Sequence, residues 1–507
     1  MTDMKRILRA MMGGMLLAGT LAGAETRDLP PAPRTAAPPQ WKTPVQWRAL
    51  QPLENLPRGE WWRIYDDPVL HGLMRSVGSG NQQLRQAVAK FDQARAVARV
   101  ARSRFFPEAN LTPSALYQRT SENMASPFPL LGLSYEGWNL NVPVDFSYEI
   151  DLWGRVRKQF AGAQAEAGAS AAAMESVLLS VQAEAAQNYF RMRALEQEEG
   201  ALERVVAAWR EELAIVRARV KAGTGSELDE QQAMAELEAA AVQATGLASE
   251  REQLENALAV LAGEAAPSFR LAAATRLPDV PAVPPGVPSD LLERRPDIAR
   301  AERALAAAAA KVGVASMALY PSVRIAGNGG FMGTDFGNLF DGISRAWSFG
   351  PSVSLPLFAG GRNRANLEQA RAAHDEALAA YRQSVLIAFA EVESQLVVLR
   401  RLSEQQAAQG RAVAHAQRAA EIAAARHKAG TSPYVDVLVA NRTVLALERS
   451  GQQLAGQRLI ASVALVKALG GGWQQSLPVA MPAQPADPDA MPPEKSKLRR
   501  WFQRERK

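Results

Sequence analysis

Lys221-Ala222-Gly223-Thr224 returns as Lys428-Ala429-Gly430-Thr431, 207 positions later, and Gly154-Arg155-Val156-Arg157 returns as Gly361-Arg362-Asn363-Arg364 at the same spacing. Two motifs sharing one offset mean that the segment between them has kept its length in both copies. Asp229 and Asp436 fall in this register, as do Glu184 and Glu391. A further pair, Phe106-Pro107 and Tyr320-Pro321, is offset by 214, so the copies differ by about seven residues between that proline and the Gly-Arg motif. The chain is an internal duplication, and every other feature has to fit that frame.

Between the repeated motifs the pattern is helical and rich in alanine. From Gly154 to about Val220, and again from Arg362 to Lys428, nothing interrupts it. At 1.5 Å per residue such helices are roughly 100 Å long. That length does not suit an ordinary globular core, and alanine-rich faces suit close packing in an extended coiled coil. Gly223 and Gly430, each just after a lysine, read as helix C-terminal signals. Return helices are expected over Ser226 to Leu261 and Pro433 to Leu469. Upstream, helical spacing runs from Pro68 to Phe105 in the first copy and from Asp297 to Ala318 in the second. Both end at an aromatic-proline pair.

Strands are expected between these helices. Leu140, Val142, Val144, Phe146, Tyr148, Ile150 and Leu152 alternate with polar or small residues, a period of two. Trp347, Phe349, Val353, Leu355 and Leu357 repeat the theme in copy two, with partner strands expected near Asn110 to Arg119 and Val323 to Phe331. Half-buried soluble sheets alternate in the same way.

The ends and the composition narrow the class. Lys5, Arg6 and Arg9, an apolar run from Ala10 to Leu21, and Ala22-Gly23-Ala24 have the three parts of a secretory signal. The chain has no cysteine, which excludes disulfides, lipidation at position 24 and thiol chemistry. No apolar run of 18 or more residues follows the signal, so a membrane role would have to use strands. The net charge of +6 does not support a nucleic-acid partner. Proline-rich stretches separate the parts: signal 1–24, extended segment 25–60, first repeat 61–277, linker 278–290, second repeat 291–472, and a proline-rich, basic tail 473–507. His71, His374, His415 and His427 show no metal-ligand spacing, and no nucleotide or nucleophile motif is present. No enzymatic activity, metal or cofactor is expected.

The expected fold is mainly α with a β-barrel portion. Four strands per chain cannot close a barrel, since small barrels need about eight, and open sheet edges are not tolerated in lipid. Strands that enter a membrane would therefore come from several chains. Three chains would supply twelve, within the range of outer-membrane barrels, and would set their long helices side by side beneath.

The chain resembles the TolC-type outer-membrane efflux family, in its OprM/NodT-like branch. The resemblance rests on Trp61-Trp62 with Asp67-Pro68, on Tyr148-Glu149-Ile150-Asp151-Leu152-Trp153-Gly154-Arg155, and on Leu291-Leu292-Glu293-Arg294-Arg295-Pro296-Asp297-Ile298. Phe358-Ala359-Gly360-Gly361-Arg362 and Ala429-Gly430-Thr431 with Val435-Asp436-Val437-Leu438 complete it, and it covers about residues 55 to 472. It implies a homotrimeric exit duct in the outer membrane, in contact with outer-membrane lipid and continued through the periplasm as a helical barrel. It also implies docking to a periplasmic adaptor and an inner-membrane pump of RND type. Members of the branch are often lipoproteins, and Ala24 in place of cysteine departs from that.

The resemblance assigns candidate sites. Gly223, Thr224, Gly430 and Thr431 would form tip turns that touch the adaptor. Asp229 and Asp436 would form carboxylate rings at a periplasmic gate, which would favour cations. Some members use an Arg and a Tyr near the second turn, where Ser432 and His427 stand here. Gly154, Arg155, Gly361 and Arg362 mark the junction of barrel and helix, a structural role. Trp138, Trp153 and Trp347 are candidates for interfacial girdles, and Arg294-Arg295-Pro296-Asp297 for a helix cap. Glu184 and Glu391 read as solvated helix faces. The expected function is passive conduction of small molecules, such as drugs or toxic amphiphiles, from adaptor and pump to the exterior. A conduit for type I protein secretion shares the architecture, and a pore-free periplasmic scaffold or adaptor would lack the alternating strands.

Overall fold

The computed structural model describes residues 59–119, 136–272, 277–281 and 294–471, with positions 38, 40–42 and 283. The expected signal, most of the proline-rich segments and the tail lie outside the described residues.

Helices α1 (Pro68–Gly80) and α2 (Gln82–Ser103) lead to strands β1 (Glu108–Leu111), β2 (Ser114–Arg119) and β3 (Glu136–Ile150). The long helix α3 (Arg155–Lys221) and its return α4 (Glu227–Ala262) complete the first copy. The second has α5 (Pro296–Met317), β4 (Ser322–Gly333), β5 (Arg345–Ser354), α6 (Arg362–Lys428) and α7 (Tyr434–Ala468). Both long helices have 67 residues and start and stop at positions 207 apart.

Two expectations need correction. Pro68 to Phe105 is not one helix, because it breaks at Asn81. The buried Asn81 side chain caps α2 through the Leu84 amide at 2.9 Å and donates to the Leu261 carbonyl at 2.9 Å. A Cβ on Gly80 would overlap the Ala262 carbonyl oxygen, so the break lets two backbones touch. The strands expected to reach Leu152 and Leu357 end at Ile150 and Ser354; after the first, the chain turns and Gly154 takes φ +83° to open α3.

β1 and β2 form one stave. The pairing Leu111 with Val144 and Ser114 with Asn141 keeps register across Thr112-Pro113. Proline has no amide to donate there. Among the described residues the antiparallel order is β1/β2, β3, β4, β5, leaving open edges on the first and last staves. Directly paired residues share a face, and faces alternate along a strand. Trp138, Leu140, Val142, Val144, Phe146, Tyr148 and Ile150 therefore share one face with Phe331, Ile325 and Val323 and with Trp347, Phe349 and Val353. The other face carries Asn139, Asn141, Asp145, Ser147 and Glu149, then Asn328 and Arg324, then Ser348 and Ser352. The sheet is apolar on one side and polar on the other, as the sequence alternation requires.

The main core lies at mid-height of the helices. A 3-10 turn, Trp61–Tyr65, inserts there. Trp61 Nε1 donates to Gln182 at 3.2 Å, and the Tyr65 and Ser462 hydroxyls are 2.8 Å apart. Asp67 caps α1 at the Val69 amide (2.9 Å) with one oxygen and accepts from the Tyr189 hydroxyl at 2.6 Å with the other. Tyr189, Phe190, Leu258, Leu459 and Val463 complete a cluster that ties α1, α3, α4 and α7 together. Burying each large apolar side chain contributes about 1.5–3 kcal/mol. Closer to the strands, α5 wedges between α3 and α6. A Cβ on Gly162 would stand 3.3 Å from that of Ala310, so small residues set the close approach of α3 and α5.

Candidate functional site: a junction and a tip

The junction below the strands is built differently in the two copies. Gly154 and Gly361 both sit in the left-handed region, φ +83° and +84°, which glycine adopts without a Cβ penalty. Arg155 forks onto Glu149, with nitrogen–oxygen distances of 2.9 and 2.5 Å. Asp151 caps α3 through the Val156 and Arg157 amides at 3.0 and 2.9 Å. Copy two has Pro356 and Phe358 at the corresponding positions, so Arg362 has no equivalent of Glu149 and α6 no equivalent of the Asp151 cap. Trp153 donates to the Pro321 carbonyl at 2.7 Å and packs on Tyr320, beside the junction.

At the other end of the long helices the two turns match. Gly223 and Gly430 both have φ +74°. Thr224 N donates to Arg219 O and Gly223 N to Val220 O; Thr431 N and Gly430 N repeat this with Arg426 O and His427 O. Each is a Schellman closure that satisfies the last helical carbonyls. The threonine hydroxyls add bonds to the same Arg219 and Arg426 carbonyls, at 3.2 and 2.9 Å.

Asp229 and Asp436 each lie in the first turn of a return helix, favourable for a carboxylate by the helix dipole. Asp436 is exposed and Asp229 half-buried. A residue passed over in the sequence stands beside them: Tyr434, buried, is the first residue of α7. Burial, then the Glu212 carboxylate that its hydroxyl contacts, and the charge of Asp229 push the Tyr434 hydroxyl pKa well above its ordinary value, so it stays a proton donor. The His427 ring packs on Tyr434 with centroids 5.5 Å apart, and His427 Nδ1 is 3.1 Å from the Ser432 carbonyl. A lone aromatic directly after Pro433 in an aliphatic helix was the available signal.

Above the tip, the two hairpins meet along α3, α4 and α7. Gly456 touches Ala194 so closely that a Cβ on it would come within 2.6 Å of the Ala194 Cβ. One to two turns toward the tip, the buried Glu198 accepts from Arg449 Nε at 3.0 Å and from Gln453 at 3.2 Å. Further down, Arg442 pairs with Glu236 at the surface. A groove of about 890 Å³ opens beside these contacts, lined by Trp209, Glu212, Gln243 and Tyr434 among others. The joint between copies is thus tight and buried above, polar and open below.

Glu391 lies on an exposed face, as expected, but it has a partner that the sequence did not show. It pairs with the buried Arg295 guanidinium at 2.7 Å, and Arg295 also pairs with Asp297 and donates to the Ala468 carbonyl at 2.9 Å. Burial alone would raise the Asp297 carboxyl pKa, but Arg295 and the Ile298 amide outweigh it and hold the group below the usual range. Arg295 and Pro296 begin α5 as N-cap and first residue, as the sequence suggested. Among the described residues no group of His, Asp and Glu could hold a metal ion, and no helix is long and apolar enough to cross a membrane.

A sheet with one apolar and one polar face, standing on two ~100 Å helices, suits a membrane duct, and comparison with known proteins points the same way. The outer membrane efflux protein family matches residues 73–264 and 287–471, once on each copy. The chain belongs to this family. It is 32% identical to the outer membrane protein OprJ of Pseudomonas aeruginosa over 469 residues, 91% of this chain and 95% of the relative. It is 31% identical to the toluene efflux pump outer membrane protein TtgF of Pseudomonas putida, covering 88% and 92% of the two chains. The solved outer-membrane channel OprN superposes with a TM-score of 0.79 at 32% identity, covering 88% of this chain and 99% of that one. This efflux protein is therefore an outer-membrane exit duct, with its strands in the membrane and its long helices in the periplasm. The apolar sheet face suits lipid and the polar one a water-filled lumen.

Proposed function

We propose that three copies form one duct, with a twelve-stave barrel above a helical tunnel. The observation that carries this is the four-stave sheet with two open edges and opposite face polarities. Lipid does not tolerate such edges, and three copies give an even count with a polar lumen. The matched Schellman turns at Gly223-Thr224 and Gly430-Thr431 are the contact points for a periplasmic adaptor, which links the duct to an inner-membrane pump of RND type. Asp229 and Asp436 act as charged rings at the narrow tip and make the closed duct cation-selective. Cargo consists of small molecules such as drugs or toxic amphiphiles; the toluene efflux named for one relative supports small cargo with apolar surface, and the duct conducts it passively.

Light scattering of the detergent-solubilised protein tests the assembly. A mass of three chains is expected, and a monomer or an even-numbered assembly refutes the barrel. Asp436→Ala should then raise single-channel conductance and weaken cation selectivity in planar bilayers. Unchanged values would remove Asp436 from the gate.

A further inference from the structure

The β4–β5 connection, residues 334–344, stands at the end of the sheet remote from the helices, where a loop would ordinarily project into water. Its side chains do otherwise. Phe336 packs edge-on against Trp138, which packs on Tyr117, with centroids 5.6 and 5.4 Å apart. Phe340 packs on Phe331 at 5.4 Å. Tyr117, Trp138 and Phe331 all belong to the apolar face of the sheet. Leu339, buried, lies over Gly333, where a Cβ would meet it at 3.6 Å. The loop is thus folded down over the outside of the barrel wall.

It is also held in that shape. Ser344 Oγ donates to the Asn338 carbonyl at 2.8 Å, the Gly337 amide donates to Asp335 at 2.9 Å, and the Asp341 amide donates to the Asn338 carbonyl at 3.1 Å. The exposed surface of this ordered loop mixes large apolar groups with Asp335, Asn338 and Asp341, a composition that suits the boundary between acyl chains and headgroups. Ile343 is 90% exposed, Phe340 67% and Phe336 61%, and Trp347 on the adjoining strand is 81% exposed. Exposed large apolar groups gathered in one patch mark a contact surface. This patch is continuous with the apolar face of the sheet. Arg345, exposed, opens β5 on the same face, paired with Phe331. Its long stem can lie along the apolar surface while the guanidinium reaches headgroup oxygens.

We infer that residues 334–344 form an aromatic clasp that lies in the outer leaflet of the bilayer, with Arg345 at headgroup level, and does not stand over the mouth of the duct. Its partner is membrane lipid: acyl chains for Phe336, Phe340 and Ile343, and an anionic headgroup for Arg345. The loop then extends the barrel's anchorage outward.

The cysteine-free chain makes the test clean. Single cysteines replace Ile343 or Phe340, with Val144→Cys in the apolar band and Ser348→Cys on the polar face as controls. Each full-length variant carries a small environment-sensitive fluorophore and is reconstituted in phosphatidylethanolamine–phosphatidylglycerol vesicles with brominated acyl chains. Quenching at Val144→Cys certifies insertion. Fluorophores at 343 and 340 should then be quenched at least about twofold by the brominated chains and little by aqueous iodide, with the reverse at 348. Iodide quenching at 343 and 340 without quenching by the lipid would overturn the proposal.

Discussion

Glu198→Ala removes the buried acceptor that joins the two hairpins. Glu198 is 4% exposed and takes hydrogen bonds from Arg449 and Gln453, while the Arg449 side chain is 39% exposed and keeps a 3.3 Å bond to Gln243. At ~3 Å and an effective dielectric of about 20, the gross attraction is roughly 5–6 kcal/mol. Desolvation of the carboxylate offsets most of it, and the half-open arginine is screened. A hydrogen bond to a charged group contributes about 1.5–3 kcal/mol net, so the Glu198–Arg449 coupling should be about 2 kcal/mol. In the ratio of parted to joined hairpins that is about 30-fold per protomer. The pair lies about 35 Å above the tip turns along α3, so even a small angular freedom there moves the tip by several ångströms. A double-mutant cycle of Glu198→Ala and Arg449→Ala, read by thermal unfolding in detergent and by open probability in planar bilayers, measures this coupling. Additivity to within about 0.3 kcal/mol together with an unchanged open probability would refute the assignment.

Gly80→Ala should cost more than about 3 kcal/mol, because its Cβ overlaps the Ala262 carbonyl and both neighbours are backbone; a fall in melting temperature and in assembled protein checks it. Gly223→Ala and Gly430→Ala meet open space, so each should cost only the ~1 kcal/mol of the left-handed backbone. A pull-down with the cognate adaptor would show whether the altered turns also weaken docking. Asp297 has a folded pKa below its unfolded one, so the stability it contributes is complete above about pH 4 and is lost as pH falls through the folded value. Asp297→Asn should therefore flatten the acid side of a melting-temperature profile and leave its alkaline side parallel to the parent.

Much of the architecture was legible because long-period patterns report on it. The pairs Gly223/Gly430 and Gly154/Gly361 set both long helices to within a residue, and the alternation from Leu140 to Ile150 gave the strand and its two faces. The break at Asn81 was not legible, since nothing local to Gly80 announces the Ala262 backbone against it. Glu391 looked like any helical glutamate, for its partner Arg295 lies on a different helix. The tip candidates Asp229 and Asp436 came from register and resemblance, whereas Tyr434 depends on Glu212 from the other copy. Contacts between distant elements are set by three-dimensional approach, and a periodicity read along one element does not contain them.

The equal length of α3 and α6 has a consequence for how this chain can change. Each residue in a helix advances the chain by 1.5 Å and turns it by about 100°. Deleting one residue near the middle of α3 would leave the waist seated while its Gly223 turn rose by that step and rotated off the plane of Gly430. The stagger could be cancelled only by a matching deletion in α6 and compensating losses in both return helices. The 67-residue helices therefore behave like the two scales of a vernier: substitutions are cheap along their faces, but length can change only in concert. Insertions should be confined to the loops, the linker and the two ends of the chain.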